Sequence, residues 1–386
     1  MDCSHVFDFK VNRLIAAFTL FLALFTVVPS VSAQTDSVEA GAAHEVVSAG
    51  AGHGAEAGHE EGKFDPTEVI MEHIADSHVW HVAGHFSFPL PVILYTPQGL
   101  EIFSSGEFHH GEADHAGKYH TYRLVENTKD QTVGQNFFNK KIKVVTPDGQ
   151  VDEAATAGII DFSITKNVAA MFLTGVILLF VFSSVAAAYK KRNGKSPKGL
   201  QSFLEPIIVF VRDDIAKPNI GHDYGRFMPY LLTVFFFILI NNLFGLIPIF
   251  PGSANVTGNI ATTFILAFFT LIIVNINGNK SYWGHIFAPD VPKWMYVIMI
   301  PVEVIGVLSK PFALMVRLFA NITAGHIIVL SLVSLIFIFK SLAIAPVSVA
   351  FVIFMDILEL LVAFLQAFIF TLLSALFIGM AVEEHH

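Results

Sequence analysis

Cysteine is almost absent from this chain: among 386 residues there is one, Cys3. That excludes a disulfide framework and a thiolate metal site. Charge is scarce too, at 14% of residues, where soluble domains carry roughly 25%. No GxxxxGK[ST] segment occurs, so the loop that cradles nucleotide phosphates is missing. What abounds is apolar: 54% of residues are hydrophobic and 38 are Phe, with a mean hydropathy of +0.61. Several runs exceed the roughly 18 apolar residues of a spanning helix. The composition specifies a multi-span membrane protein with a soluble extension. The formal net charge of −9 falls on loops and tail and gives no reason to expect nucleic acid as a partner.

Residues 1–33 read as a signal peptide. Lys10 and Arg13 make a basic start, Leu14–Val28 an apolar stretch too short to span comfortably, and Val31-Ser32-Ala33 a cleavage site. An uncleaved anchor is the other reading. Export points to a bacterial inner membrane, with a periplasmic mature N-terminus. Residues 34–63, rich in His, Gly, Ala and Glu, lack the apolar content for a core and are expected to be disordered.

Residues 64–163 form the exported extension, expected to be α+β. Phe64–Phe86 suits a helix started by Pro66. Val92–Tyr95, Leu100–Ser104, Tyr119–Leu124 and Lys141–Val145 suit strands, with turn chemistry in TPQG (96–99) and TPDG (146–149). Eleven of the 17 histidines lie between His44 and His120. On a helix, His78, His81 and His85 would share a face, and zinc is conceivable there. No carboxylate or thiolate completes a recognisable ligand set, so a solvated, biased segment is the better reading.

The membrane domain is 164–386. Ile164–Tyr189 is the first span, and the basic run KKRNGKSPK (190–198) puts its far end in the cytoplasm. Leu200–Ile215 is expected along the membrane surface. Phe227–Phe250 returns outward, PGSANVT (251–257) is an external loop, Gly258–Ile276 crosses inward, and 277–294 is a cytoplasmic loop. Trp294–Lys340 and Ser341–Val382 are each too long for an upright span of ~20 residues. Pro301 and Pro311 are expected to interrupt the first, and Pro346 to start the second. The expected fold is therefore an all-α polytopic membrane protein with about five membrane helices. It ends in a hairpin of two long tilted helices and leaves the C-terminus cytoplasmic.

That hairpin carries the chemistry. A charge at membrane depth costs about 2.5–3.5 kcal/mol on insertion scales, yet LSKPFALMVRLFANITAGHIIVL (308–330) retains several polar groups. At 100° per residue, Glu303, Lys310, Arg317 and Asn321 share a stripe, and His326 lies on the opposite face. Asp356, Glu359 and Gln366 share a stripe on the second helix. A permanent cation lies mid-membrane with protonatable groups on either side, which suits a proton path with a central barrier. Arginine fits the barrier because it does not shed its proton. Blander readings stand beside this one. Lys310 could snorkel, Arg317 could pair with Glu359 or Asp356, His326 could be a core histidine, and Asp356 could be structural. Asn241 and Asn242 could glue helices together.

LSKPFALMVRLFANITAGH followed by LQAFIFTLLSALFIGMAVEE resembles subunit a of the F-type ATP synthase, the stator side of its proton channel. NNLFGLIP (241–248) and SANVT (253–257) resemble earlier helices of that family. The resemblance implies that Arg317 faces the carboxylates of a ring of c subunits, with Asn321 and Gln366 near it. It implies that His326 and Glu359 serve the half-channel from the exterior and Glu303 the half-channel to the cytoplasm. Lys310, Asn242 and Asp356 are secondary candidates. Gly245 departs from members that carry an aspartate there. The implied partners are the c ring, b-type peripheral stalk subunits and the lipid bilayer. No cofactor and no catalytic residue is implied, because the chain would be a channel subunit that binds no nucleotide. Two rivals remain: an autonomous ion channel or secondary transporter with a buried arginine, for which no internal repeat is seen, and a membrane anchor for a metal-binding histidine-rich domain.

Overall fold

The structure is a computed structural model. It describes residues 76–83, 86–111, 113–125, 141–191, 196–247, 254–288, 291–339 and 344–383, with a few single positions between them. The expected signal peptide and the 34–63 segment lie outside the described residues.

Among the described residues the N-terminal lobe has three small antiparallel sheets. β1 (Val79–Ala83) pairs with β2 (Phe86–Pro89). β3 (Pro91–Thr96) lies between β4 (Gly99–Ser104) and β8 (Ile160–Asp161), and β6 (Thr121–Val125) lies between β5 (His115–Ala116) and β7 (Lys141–Val145). A short helix, α1 (Glu153–Ala157), is capped by Asp152, whose carboxylate accepts from the Ala155 amide. Alternation along β3 buries Val92, Leu94 and Thr96, and Val92 and Leu94 pack with Phe108, Tyr122, Ile142 and Val144. Gly99, at φ 144, closes the TPQG turn in a conformation that glycine accepts readily. Glu101 breaks the hydrophobic rule because it is inward and buried. It accepts from the Lys118 and Tyr119 amides and from the Tyr122 hydroxyl, so the buried carboxylate is satisfied and ties two sheets together.

One expectation fails here. Within the helix expected over Phe64–Phe86, residues 79–83 are strand β1. Val79, Trp80 and Val82 favour a pleated surface, and pairing with β2 decides the outcome. His78 precedes the strand and His81 lies in it, so the helical histidine face does not form; His85 is outside the described residues. The four expected strands are all present as β3, β4, β6 and β7.

The rest is helical: α2 (Lys166–Lys191), α3 (Leu200–Phe210), α4 (Tyr224–Leu246), α5 (Ile260–Ile276), α6 (Lys280–Phe287), α7 (Tyr296–Phe339) and α8 (Ala345–Val382). Among the described residues four helical runs are long and apolar enough to cross a membrane, or five if the bent pair α5–α6 is one span. α3 begins the stretch expected along the membrane surface. It continues through a π-helical turn, Val211–Ala216, and a last turn, Lys217–Ile220, to Gly221 at φ 73. Its inner face, Leu204, Ile208, Val211 and Ile215, enters the common core. The expected loop 277–294 likewise contains α6, bent by 103° from α5.

α7 and α8 form the expected hairpin. α7 has 44 residues and α8 has 38, about 66 Å and 57 Å at 1.5 Å per residue. Both exceed a hydrocarbon core of about 30 Å, so both must incline. Pro301 and Pro311 lie inside α7 without ending it. In apolar surroundings, neighbouring groups and local adjustment absorb the hydrogen bond each proline removes. α8 is central and packs on α4, α7 and the Lys217–Ile220 turn. Ala363, Ala367, Thr371, Ser374 and Ala375 are fully buried along it, and such small residues let helices approach closely. At its C-terminal end the Asn279 amide and side chain donate to Ala381 O and Val382 O, at 2.8 and 2.7 Å.

Candidate functional site

Arg317 stands at the midpoint of α7, and its side chain is exposed on the outer face of the hairpin. Among the described residues it has no hydrogen-bond or ion-pair partner, so the pairing with Glu359 or Asp356 does not occur. Ala313, Ala320, Asn321 and Ala324 are exposed on the same stripe. On α7 itself the large apolar side chains of Phe312 and Val316 are exposed as well. A guanidinium set among alanines leaves room for another helix to come close.

The other stripe residues divide by environment. Glu303 is half-buried, and its Oε2 lies 3.9 Å from His285 Nδ1 on α6. Lys310 is half-buried with Nζ 5.6 Å from the centre of the Phe377 ring, a cation–π distance. It lines a small cleft with Thr270, Tyr282 and Phe377, so it turns into the helix bundle rather than out along the lipid. Beyond that cleft the Tyr230 hydroxyl meets Thr270 Oγ1 at 2.7 Å.

His326 faces inward, opposite Arg317, as the helical period predicts. Its Nε2 lies 3.6 Å from the point where a side-chain carbon on Gly245 would stand. Glu359 reaches across from α8, with Oε1 2.7 Å from the corresponding point on Gly325. That oxygen is buried without a hydrogen-bond partner among the described residues. His326 and Glu359 therefore come to adjacent positions of α7. Along α8 the shared stripe turns inward: Asp356 is exposed, Glu359 half-buried and Gln366 buried.

Asn241 and Asn242 act as packing groups. Asn241 accepts from Thr174 of α2 at 3.1 Å and donates to Phe237 O. Asn242 donates to Ala363 O at 3.2 Å and accepts from Thr257 Oγ1 at 2.6 Å. The loop holding Thr257 is also touched by Thr323, whose hydroxyl lies 3.5 Å from Gly258 O. Asn255 Nδ2, in the same loop, is buried without a hydrogen-bond partner among the described residues.

Sequence reasoning missed His285, Tyr282, Thr257 and Gly325. Gly325 carried a usable signal, since a glycine inside a helix costs about 1 kcal/mol relative to alanine and so marks a close approach. Among the described residues no group of three or more His, Cys, Asp or Glu could hold a metal ion.

Residues 168–379 match the family described as ATP synthase A chain, and residues 69–162 match a domain of unknown function. The chain is similar to proteins named ATP synthase subunit a in several bacteria. That of Chloroherpeton thalassium is 52% identical over 236 residues, covering 59% of this chain and 70% of the relative. That of Chlorobium phaeobacteroides (strain DSM 266) is 42% identical over 291 residues, or 73% and 82%. That of an Anaeromyxobacter species is 39% identical over 344 residues, or 86% and 74%.

Proposed function

Since this chain belongs to the ATP synthase A chain family, we propose that Arg317 is the fixed charge separating two half-channels for protons beside a turning ring. The chain is a multi-pass membrane protein, the proton-channel subunit of an F-type ATP synthase, and its family implies membrane-sector partners such as the c ring. The observation that carries the finer reading is the place of Arg317: mid-helix, exposed among alanines and unpaired among the described residues.

A ring carboxylate brought opposite Arg317 is held ionised by the adjacent cation. Away from it, in lipid, the same carboxylate must take a proton, because an isolated buried charge is too costly. His326 and Glu359 deliver that proton on one side of Arg317, and Glu303 with His285 accepts it on the other. The arginine cannot itself release a proton, so it blocks direct passage. A membrane potential contributes about 2.3 kcal/mol per charge per 100 mV.

The orientation follows from the basic run after α2, which puts that end in the cytoplasm. The N-terminal lobe and the loop between α4 and α5 are then periplasmic, with 1–33 removed as a signal peptide. The C-terminus is cytoplasmic, and b-type stalk subunits hold the chain against rotation.

The test is Arg317→Ala in the assembled complex in membrane vesicles. ATP-driven proton pumping should disappear while the complex is recovered in normal amount. Pumping at the wild-type rate would overturn the proposal.

A further inference from the structure

β1 of the N-terminal lobe does not end at the lobe. Trp80 is buried in the same cluster as the membrane helices, and its Nε1 donates to Gly252 O at 3.1 Å, 172 residues away. The donor side is rigidly held. The Lys166 amide, at the start of α2, donates to Ser77 O at 2.8 Å. The Asn167 amide donates to Asp76 Oδ1 at 3.2 Å, and the Leu90 amide to His78 O at 3.2 Å.

The acceptor side is held as well. A side-chain carbon on Gly252 would overlap Ile247 O and stand 2.7 Å from Phe244 O. The main chain of Gly252 therefore lies directly against the C-terminal end of α4. In that same last turn of α4 is Gly245, where a side-chain carbon would stand 3.6 Å from His326 Nε2. Further along the loop, Thr257 bonds Asn242 and Thr323 reaches Gly258. Gly252 is thus held by the lobe and by the end of α4, and Thr257 and Gly258 by α4 and α7.

We propose that Trp80 is a positioning residue for proton flow: through Gly252 it fixes the end of α4 against His326, so the N-terminal lobe sets the geometry of the channel wall on its side of Arg317. This rests on the half-channel reading above. α4 faces His326 with Gly245, α8 brings Glu359 to the neighbouring Gly325, and Glu303, Lys310 and Arg317 are the charged groups on α7 itself.

Trp80→Phe keeps an aromatic ring and removes the N–H donor. In vesicles bearing the complete complex, it should slow proton flow at least threefold. It should also displace the dependence of flow on pH at the lobe side, leaving the dependence on the opposite side unmoved. His326→Ala should abolish the lobe-side dependence, and adding Trp80→Phe to it should produce no further change. Deuterium uptake by a peptide covering 252–258 should rise in Trp80→Phe.

Unchanged flow, pH dependence or deuterium uptake in Trp80→Phe would overturn this inference while leaving the function of His326 standing. A His326→Ala complex with wild-type flow and pH dependence would overturn the half-channel reading and this inference with it.

Discussion

Glu359 fills the space that a side chain on Gly325 would occupy. Its Oε1 lies 2.7 Å, and its carboxyl carbon 3.0 Å, from the missing Cβ. The absence of a methyl group on α7 is what lets the carboxylate of α8 settle against Gly325, the residue before His326.

Replacing Gly325 with alanine should therefore displace Glu359 and reduce proton flow about tenfold or more. Alanine is the better helix former by about 1 kcal/mol, so weaker helix formation would not explain the loss. Shortening the acid in the double variant Gly325→Ala, Glu359→Asp should restore part of the flow. ATP-driven pumping in vesicles measures both. Wild-type flow in the single variant would show that Glu359 has room elsewhere.

Two nearby glycines should respond oppositely to the same change. At Gly245 a new Cβ meets its nearest atom, His326 Nε2, at 3.6 Å, an ordinary contact. Gly245→Ala should be accommodated with little change in the thermal midpoint of the purified complex. At Gly252 the Cβ would overlap Ile247 O. Gly252→Ala should cost on the order of 1–3 kcal/mol, as overpacking does, and lower that midpoint measurably. Equal midpoints would contradict the packing described at the end of α4.

The root of the N-terminal lobe should respond to pH through two opposing groups. Burial drives the His78 imidazole below its ordinary value of 6.5, against the pull of Asp161 and Asp76. Burial pushes the Asp76 carboxyl above 3.8, opposed in part by the Asn167 amide and Lys166. As pH falls below 6.5 the unfolded state takes up a proton at His78 first, so stability is lost down to the lower folded value. At Asp76 the folded state holds its proton longer. Its contribution is complete below 3.8 and is lost as pH rises through the raised folded value. His78→Asn should leave a lobe that tightens as pH falls toward 3.8, and Asp76→Asn one that loosens as pH falls below 6.5. Hydrogen exchange of residues 79–89, corrected for intrinsic rates, reads this directly. Identical pH slopes in the two variants would refute the assignment.

The hairpin was legible in the sequence because its signals are local. Forty-residue apolar runs, a proline at the second helix start and polar residues at helical spacing located α7 and α8 almost to the residue. The inward turn of His326 followed from its half-turn offset from Arg317. Contacts that join distant residues left no such trace. Nothing near Trp80 announces Gly252, and nothing near Glu359 announces Gly325. β1 was misread because a short apolar, histidine-rich stretch fits either period, and its partner strand settles the matter. α6 was missed because eight residues with Lys280 and His285 resemble a loop until α5 bends away from them.

The length of α7 bears on where an ion can travel. Glu303 and His326 are about 35 Å apart along its axis at 1.5 Å per residue, more than a hydrocarbon slab of about 30 Å is deep. On an upright rod they could not both lie within the slab. Leaning over, the helix keeps both inside it and spreads them along the plane of the sheet. If Glu303 and His326 serve the two proposed half-channels, a proton leaving one for the other has a sideways journey to make, which a laterally moving carrier would supply.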